Sequence, residues 1–290
     1  MAETVAVIAM GEMGSGVARR LHERGATVLT SLEGRSAASA ARAQKAGAIA
    51  VASDDELAAR ADFVLSIVPP GDAVALAQRL APAIRQAGRK TVYVDCNAVS
   101  PQTAEKIGDV LQGSGCVYVD AGIIGPPPGP SSRTIFYASG PGAQEFERLA
   151  ACGLSIRLVE GPNGAASAMK LSYAGITKGI TAIGAAMMLG ATRAGTAQAL
   201  LQELSESQPM LLGWLRNSVS RMPPKAYRWV AEMEEIATFL ADDAAAREMY
   251  RAIARFYEQI AAALSDPQPG DAIAQLKAFC AEGQAQRKSA

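Results

Sequence analysis

The chain has 290 residues, enough for one large domain or two moderate ones. Lysine plus arginine equal aspartate plus glutamate at 28 each, and no dense basic run occurs, so neither a global field nor a local one draws nucleic acid. Apolar residues make up 49% and aromatics only 5%, which suits small-residue helices packed tightly on a sheet.

The first elements alternate. Residues 4–9 read as a short buried strand and 14–24 as a helix ending near Gly25. "ATVLTS" (26–31) reads as a second strand and "SAASAARAQKAG" (36–47) as its following helix. "DFVLSIVPP" (62–70) is a strand running into a proline stop, followed by a helix over about 72–86. "KTVYVDC" (90–96) and "GCVYVDAG" (115–122) are further strands with a helix of about 101–112 between them. "SRTIFYASG", a short helix and "LSIRLVEG" complete the pattern. Strands alternating with helices at this spacing predict a mostly parallel sheet covered on both faces. Beyond Gly164 no strand is evident, only long helical patterns interrupted at "RMPPKAY" and "SDPQPGD". The reading is therefore an α/β Rossmann-type domain over 1–162 and an all-α domain over 163–290.

Other signals narrow the setting. The four cysteines, Cys96, Cys116, Cys152 and Cys280, are scattered without a CxxC. That argues against a metal site or a disulfide framework and fits a reducing cytoplasm. The N-terminus lacks a basic segment leading into an apolar run and a cleavage site, so no signal peptide is expected. The apolar stretch 179–191 is shorter than the ~20 residues that span a bilayer, so no membrane association is expected. His22 is the only histidine. Proton transfer falls to another group unless His22 itself serves.

The stretch "VAVIAMGEMGSG" (5–16) places glycines between a strand and a helix. Such glycines let the backbone turn tightly and approach a pyrophosphate, which the helix N-terminus favours. The pattern is Ala9-x-Gly11-x-x-Gly14, with alanine in the first glycine's place, so the turn gains its meaning from the surrounding βα units. Met10, Gly11, Glu12, Met13 and Gly14 are the cofactor candidates here. At the end of the second strand, "TSLEGRS" offers Glu33 for the ribose hydroxyls of NAD(H). Against it stand Ser31, Arg35 and Ser36 for the 2′-phosphate of NADP(H), since an arginine can clasp phosphate bidentately. The cluster favours NADP(H) over NAD(H). The other reading leaves Arg35 as a solvated loop residue.

"AASAMKLSYAGITKGITAIGAAMML" (165–189) contains two charges, Lys170 and Lys178. An ammonium on an apolar helix must be paired, snorkel out, or face a wet cleft. Burial lowers a lysine pKa and suits it to acid–base work near neutrality. Tyr173, Ala174 and Thr177 fall on the face of Lys170, with Lys178 at its flank. A rim lysine serving only the fold is the alternative.

The turn "AMGEMGSG", the loop "VPPGDA", "DCNAVSP", "DAGIIGPPP" and "GPNGAASAMK" occur in an order that resembles the β-hydroxyacid dehydrogenases, including 3-hydroxyisobutyrate, tartronate semialdehyde and 6-phosphogluconate dehydrogenases. The resemblance covers essentially the whole chain. "LEGRSAAS" and "PPKAYRWVAEMEEIA" resemble a little-characterised 6-phosphogluconate dehydrogenase-like subgroup. It implies a helical C-terminal domain of the 6-phosphogluconate dehydrogenase type that forms homodimers, the partner adding to the active-site wall. It also implies that Lys170 exchanges a proton with the substrate hydroxyl while hydride moves to or from the nicotinamide. Val68, Pro69, Pro70 and Asn97 match loops flanking the ribose and nicotinamide. Gly122, Ile123 and Ile124 match a loop gripping the substrate's acid group, with Tyr173, Thr177 and Lys178 as further substrate candidates.

Three departures stand out. Ile124 stands where the family usually has serine, Ala174 where it has asparagine (Tyr173 being a substitute), and Glu234-Glu235 where it has a Lys-Asp pair. Together they point away from a small carboxylate and toward a bulkier, less anionic or cationic substrate. Tyr227 and Trp229 either line a pocket or serve the core or a dimer interface. The leading function is an NADP-dependent oxidoreductase acting on a hydroxyl/carbonyl pair. An imine reductase of the same architecture is the nearest rival, though such enzymes usually lack the lysine, and a non-catalytic NADP-binding sensor is the third.

Overall fold

The computed structural model describes residues 3–129, 132–268 and 271–282 and divides into two compact units, residues 1–171 and 172–290. The division falls inside a helix, nine residues beyond the break in sequence character at 162–163.

The first unit carries an eight-stranded sheet in the order β3-β2-β1-β4-β5-β6-β7-β8. The strands are β1 (Thr4–Ile8), β2 (Thr27–Ser31), β3 (Ile49–Val51), β4 (Phe63–Ser66), β5 (Val92–Asp95), β6 (Val117–Ile124), β7 (Ile135–Ser139) and β8 (Ser155–Leu158). All pairs are parallel except β6 with β7. The helices are α1 (Glu12–Glu23), α2 (Ala37–Lys45), α3 (Asp54–Arg60), α4 (Ala73–Ala87), α5 (Pro101–Leu111) and α6 (Ala143–Phe146). Strand alternation sorts the core into two layers. Val5, Val7, Phe63, Leu65 and Val94 pack with Val17, Leu21 and Phe146 on one face. Ala6, Ile8, Val64 and Tyr93 pack with Leu57, Leu80 and Ile107 on the other. A sheet buried on both faces is what near-continuous apolar strands produce.

The region 49–60, where the sequence pattern suggests no element, holds β3 and α3. The strand is a three-residue edge with Ile49 and Ala50 exposed, too short to show a period. Helix α3 is short but properly started: Ser53 accepts the Glu56 amide, and three acids fill its first turn.

From Ala165 one helix, α7 (Ala165–Arg193), runs on into the second unit. There follow α8 (Ala197–Ser207), α9 (Pro209–Arg221), α10 (Ala226–Phe239), α11 (Ala244–Ser265) and α12 (Ala272–Ala281). At 29 residues α7 exceeds the span of a bilayer, longer than the 179–191 stretch implied. Its inner side is packed protein, however: Ala174, Ala182, Ala185, Met188 and Leu189 are buried. A side chain at Gly175 would meet the Tyr250 hydroxyl at 2.9 Å, so this glycine is what allows α11 to approach α7 so closely.

Candidate active site

In an open parallel sheet, ligands bind at the carboxyl ends of the strands, where strand order reverses. Here the reversal lies between β1 and β4. The glycine turn follows β1 and the Val68-Pro69-Pro70 loop follows β4, joined by the Ala9 amide donating to the Ile67 carbonyl at 3.1 Å. Gly11 caps α1 with extended backbone and no side-chain cap, leaving that end to a ligand. Gly14 is obligatory, because a β-carbon there would lie 1.9 Å from the Ala9 carbonyl oxygen. Ala9 itself sits partly buried against the core, so the methyl in the first glycine's place is accommodated. The Met10 side chain is buried in the core and Met13 packs against it. Only Met10's backbone faces the loop, and its carbonyl accepts from Arg42 Nε at 2.8 Å. Arg42 was missed by the sequence reading; it is one basic residue in a helix whose inner face only the fold defines.

At the end of β2, Ser31 is buried, while Glu33 and Arg35 stand exposed on either side of Gly34, which turns the loop at φ +66°. Ser36, also exposed, accepts the Ser39 amide with its hydroxyl and so caps α2. Ser36 and Ser39 hydroxyls lie 3.2 Å apart and Arg42 Nη2 donates to Ser39 at 3.2 Å. A chain of contacts thus links the candidate 2′-phosphate loop to the glycine turn.

Across the reversal, Asn97 is buried after β5. Its Oδ1 accepts the Val68 amide at 2.7 Å, and its Nδ2 donates to Ser66 Oγ at 2.7 Å and to Asp95 Oδ1 at 2.5 Å. Asp95 is fully buried. Burial, opposed by a Ser66 hydrogen bond and reinforced by the charge of Asp120, pushes its carboxyl up to about 7. Burial also raises the Cys96 thiol, making it a poor nucleophile.

Asp120 lies on β6 directly across from Asp95. Its Oδ2 accepts the amides of Gly164 and Ser167 and the Ser139 hydroxyl, and its Oδ1 accepts the Ser167 hydroxyl at 2.5 Å. One buried carboxylate therefore caps α7. The helix then advances beside β6 in the strand's own direction and brings the half-buried Lys170 to Gly122, whose β-carbon, were there one, would sit 2.7 Å from Lys170 Cβ. Gly122, Ile123 and Ile124 are strand rather than loop: antiparallel pairing with β7 extends β6 through Ile124. Ile123 points into the core beside Phe136, so of the three only Gly122 and Ile124 remain for a substrate. His22 lies at the far end of α1, its ring against Gly47, away from the carboxyl edge. A cavity of about 660 Å³ beside Glu105 and Tyr118 is lined by Gly161, Pro162 and Asn163 of "GPNGAASAMK" but by none of the candidate cofactor or substrate residues.

In the second unit, Tyr173 is exposed, Ala174 is buried, and the Thr177 hydroxyl bonds back to the Tyr173 carbonyl. Lys178 is not a loose flank residue. It donates to Glu232 and lies 5.2 Å from the Trp229 ring centroid, while the Tyr257 hydroxyl donates to the Lys178 carbonyl at 2.5 Å. The acid facing inward on α10 is thus Glu232, with Glu234 exposed; buried Ala226, Met233, Ile236 and Ala237 put position 232 on the inner face. Trp229 stacks edge-on against Tyr257 as a packing residue, whereas Tyr227 is on the surface.

A profile described as the NAD binding domain of 6-phosphogluconate dehydrogenase matches residues 4–152, and one described as a domain of unknown function, DUF1932, matches 191–260. The chain is 30% identical to a conserved protein of unknown function whose structure was reported as similar to 3-hydroxyacid dehydrogenases. That likeness covers 90% of this chain and 98% of the other, with a TM-score of 0.66. The chain belongs to the β-hydroxyacid dehydrogenase and 6-phosphogluconate dehydrogenase-like family. As a member it is an NAD(P)-dependent dehydrogenase or reductase. Its fold is shared with Mycobacterium tuberculosis 3-hydroxyisobutyrate dehydrogenase in a structure with L-serine, at 18% identity over 96% of this chain and 99% of that one, TM-score 0.71. It is shared more loosely with an imine reductase from Myxococcus stipitatus in complex with NADP+, at 18% identity over 96% and 99%, TM-score 0.55.

Proposed function

We propose that the protein is an NADP-dependent oxidoreductase interconverting a hydroxyl and a carbonyl, with Lys170 as general acid and base. The observation that carries this reading is the seating of the Lys170 stem on Gly122, two residues along the strand from the acid that caps the lysine's helix. NADP(H), when bound, supplies or accepts the hydride. The open space at Gly11 and the uncapped start of α1 fit a pyrophosphate, and Ser31, Arg35 and Ser36 would take the 2′-phosphate. Val68, Pro69, Pro70 and Asn97 would flank the ribose and nicotinamide. Lys170 gives a proton to the substrate oxygen as the carbonyl is reduced and takes it back in the reverse direction. Ile124, half-buried at the end of β6, offers no hydrogen bond to a carboxylate, which favours a substrate that is bulkier or less anionic.

The same reading includes a homodimer. Tyr173, Ile176, Ile180, Ile183 and Met187 are all exposed on α7 at alternating three- and four-residue steps, the spacing of a seam that packs against another helix. A second copy presents the identical stripe, so the contact is self-complementary.

The test is absorbance at 340 nm with NADP or NADPH and a panel of hydroxy acids, polyols and amines, or the matching aldehydes, ketones and imines, each repeated with NAD(H) and with Lys170→Ala. Hydroxyl or carbonyl turnover that collapses in the variant supports the reading. Imine turnover that survives it makes the protein an imine reductase, and NADPH binding without any turnover makes it a sensor.

A further inference from the structure

We propose that Asp95 is a positioning residue for the cofactor loop: through Asn97 it fixes the Val68-Pro69-Pro70 turn at the carboxyl edge of the sheet. This rests on the reading that this edge holds the nicotinamide cofactor, and it adds a residue that touches neither cofactor nor substrate.

Asn97 can hold the loop in only one orientation of its amide. The two ends of an asparagine side chain have nearly the same shape but opposite hydrogen-bonding character. Pro69 and Pro70 have no N–H, so the Val68 amide is the loop's one backbone donor, and it meets Asn97 Oδ1 at 2.7 Å. That bond forms only if the oxygen end of Asn97 points outward to the loop. The nitrogen end must then point inward, where it needs acceptors. Asp95 Oδ1 at 2.5 Å and Ser66 Oγ at 2.7 Å supply them. A serine hydroxyl can donate as well as accept and so would tolerate either orientation. The carboxyl oxygen that accepts from Asn97 is the group that selects one.

The surroundings keep that selection firm. Asp95, Ser66 and Asn97 are all at least nine-tenths buried, so water does not compete. The groups acting most on the Asp95 carboxyl are Ser66 on β4, Asn97 in its own loop and Asp120 on β6, and the titratable groups that also feel its charge are Tyr93, Cys96 and Tyr118; none of these is cationic. A flipped Asn97 would set its NH₂ against the Val68 N–H, leaving two partly or wholly buried donors facing each other.

A donor–acceptor exchange tests this. In Asn97→Asp the inward donor becomes an acceptor facing Asp95. In the double variant Asp95→Asn with Asn97→Asp the donor now comes from position 95, and an oxygen remains for Val68. NADPH dissociation constants are read by fluorescence titration on wild type, both single variants and the double, with thermal unfolding as the check on folding. Asn97→Asp is expected to weaken NADPH about tenfold. The double variant is expected to return to within about threefold of wild type, the coupling that a double-mutant cycle isolates. Asp95→Asn alone still offers an oxygen but can also turn its NH₂ to Asn97, so an affinity between those of wild type and Asn97→Asp is expected. If Asn97→Asp alone does not fold, the affinity of the double variant decides: near wild type supports the proposal, weakened overturns it. A folded double variant that binds no better than Asn97→Asp also overturns it, while leaving the cofactor reading intact. Wild-type protein that binds neither NADPH nor NADH removes both.

Discussion

Gly122 carries no side chain where the stem of Lys170 crosses β6, and a β-carbon there would sit 2.7 Å from Lys170 Cβ and 3.1 Å from its Cγ. These atoms are the rooted part of the lysine, so the helix rather than a flexible tip would have to yield. Gly122→Ala is expected to cost about 1–3 kcal/mol of stability as an overpacking change. Because displacing a reacting group by an ångström can lower rates on the order of 100-fold, its effect on kcat is expected to exceed its effect on stability. Parallel measurement of denaturation midpoint and kcat checks this; a loss of stability with kcat intact would take Lys170 out of the chemistry.

Asp120 makes a second, separable prediction. Its two oxygens accept four hydrogen bonds, two from Ser167 in the first turn of α7 and one from Gly164 just before it. Asp120→Asn replaces one accepting oxygen with a donor in a buried site and is expected to cost about 2–4 kcal/mol. Ser167→Ala removes only one donor and leaves the carboxylate otherwise satisfied, so about 1–2 kcal/mol is expected. Urea denaturation of the two variants gives the order; the reverse order would mean that Asp120 does not anchor the helix.

Cofactor choice separates two arginines. Arg35 is exposed at the candidate 2′-phosphate loop, whereas Arg42 holds the Met10 carbonyl. Loss of a charge-assisted contact is expected to weaken NADPH about 10- to 100-fold in Arg35→Ala, with NADH affinity nearly unchanged. Arg42→Ala loosens the turn itself and should weaken both cofactors together. Titrations with each cofactor distinguish the cases, and an Arg35→Ala variant indifferent to the 2′-phosphate would return that residue to solvent.

These cases also mark what the sequence makes legible. Gly14 and the strand–turn–helix around it are local, and local signals survive in one dimension. Lys170 is legible because a charge in an apolar helix is costly and therefore informative. Asp95 and Asp120 are not: each reads as an ordinary acid in a strand, and only strand pairing sets them side by side. Ile123 is illegible for a related reason, since the partner strand β7 that prolongs β6 and turns it into the core is unknown before folding. Glu232 lies two and three residues from the acids singled out in the sequence, and the helical period alone, followed through Trp229, Met233 and Ile236, would have pointed to it.

The pair of Lys178 and Glu232 has little exposure on either side chain, 16% and 9%. Removing one partner leaves a buried charge, so Glu232→Ala is expected to cost about 3–5 kcal/mol. Replacing both, as Lys178→Met with Glu232→Leu, should recover most of that loss, because well-packed apolar groups often match a buried ion pair. Chemical denaturation of single and double variants measures the recovery. A double variant as unstable as Glu232→Ala would mean that the pair's geometry, beyond its neutralised charge, is needed by α7 and α10.

Asp95 should make stability depend on pH in a direction opposite to that of most acids. Burial and the charge of Asp120 raise its carboxyl from an ordinary 3.8 to about 7 in the folded chain. Between those values the folded state holds a proton that the unfolded state has released, so stability falls as pH rises through that window. Below about 4 both states are protonated and the penalty is absent; above about 7 both are ionised and it is at its full size, at most about 4 kcal/mol. Asp95→Asn cannot ionise and escapes the penalty while keeping an acceptor oxygen for Asn97. The stability of Asp95→Asn relative to wild type is therefore expected to climb between about pH 4 and 7 and to level off above. Urea denaturation of both proteins across that range gives the difference curve directly. A flat curve would mean that Asp95 ionises at an ordinary pH, with Asp120's charge balanced by something other than its neighbour's proton.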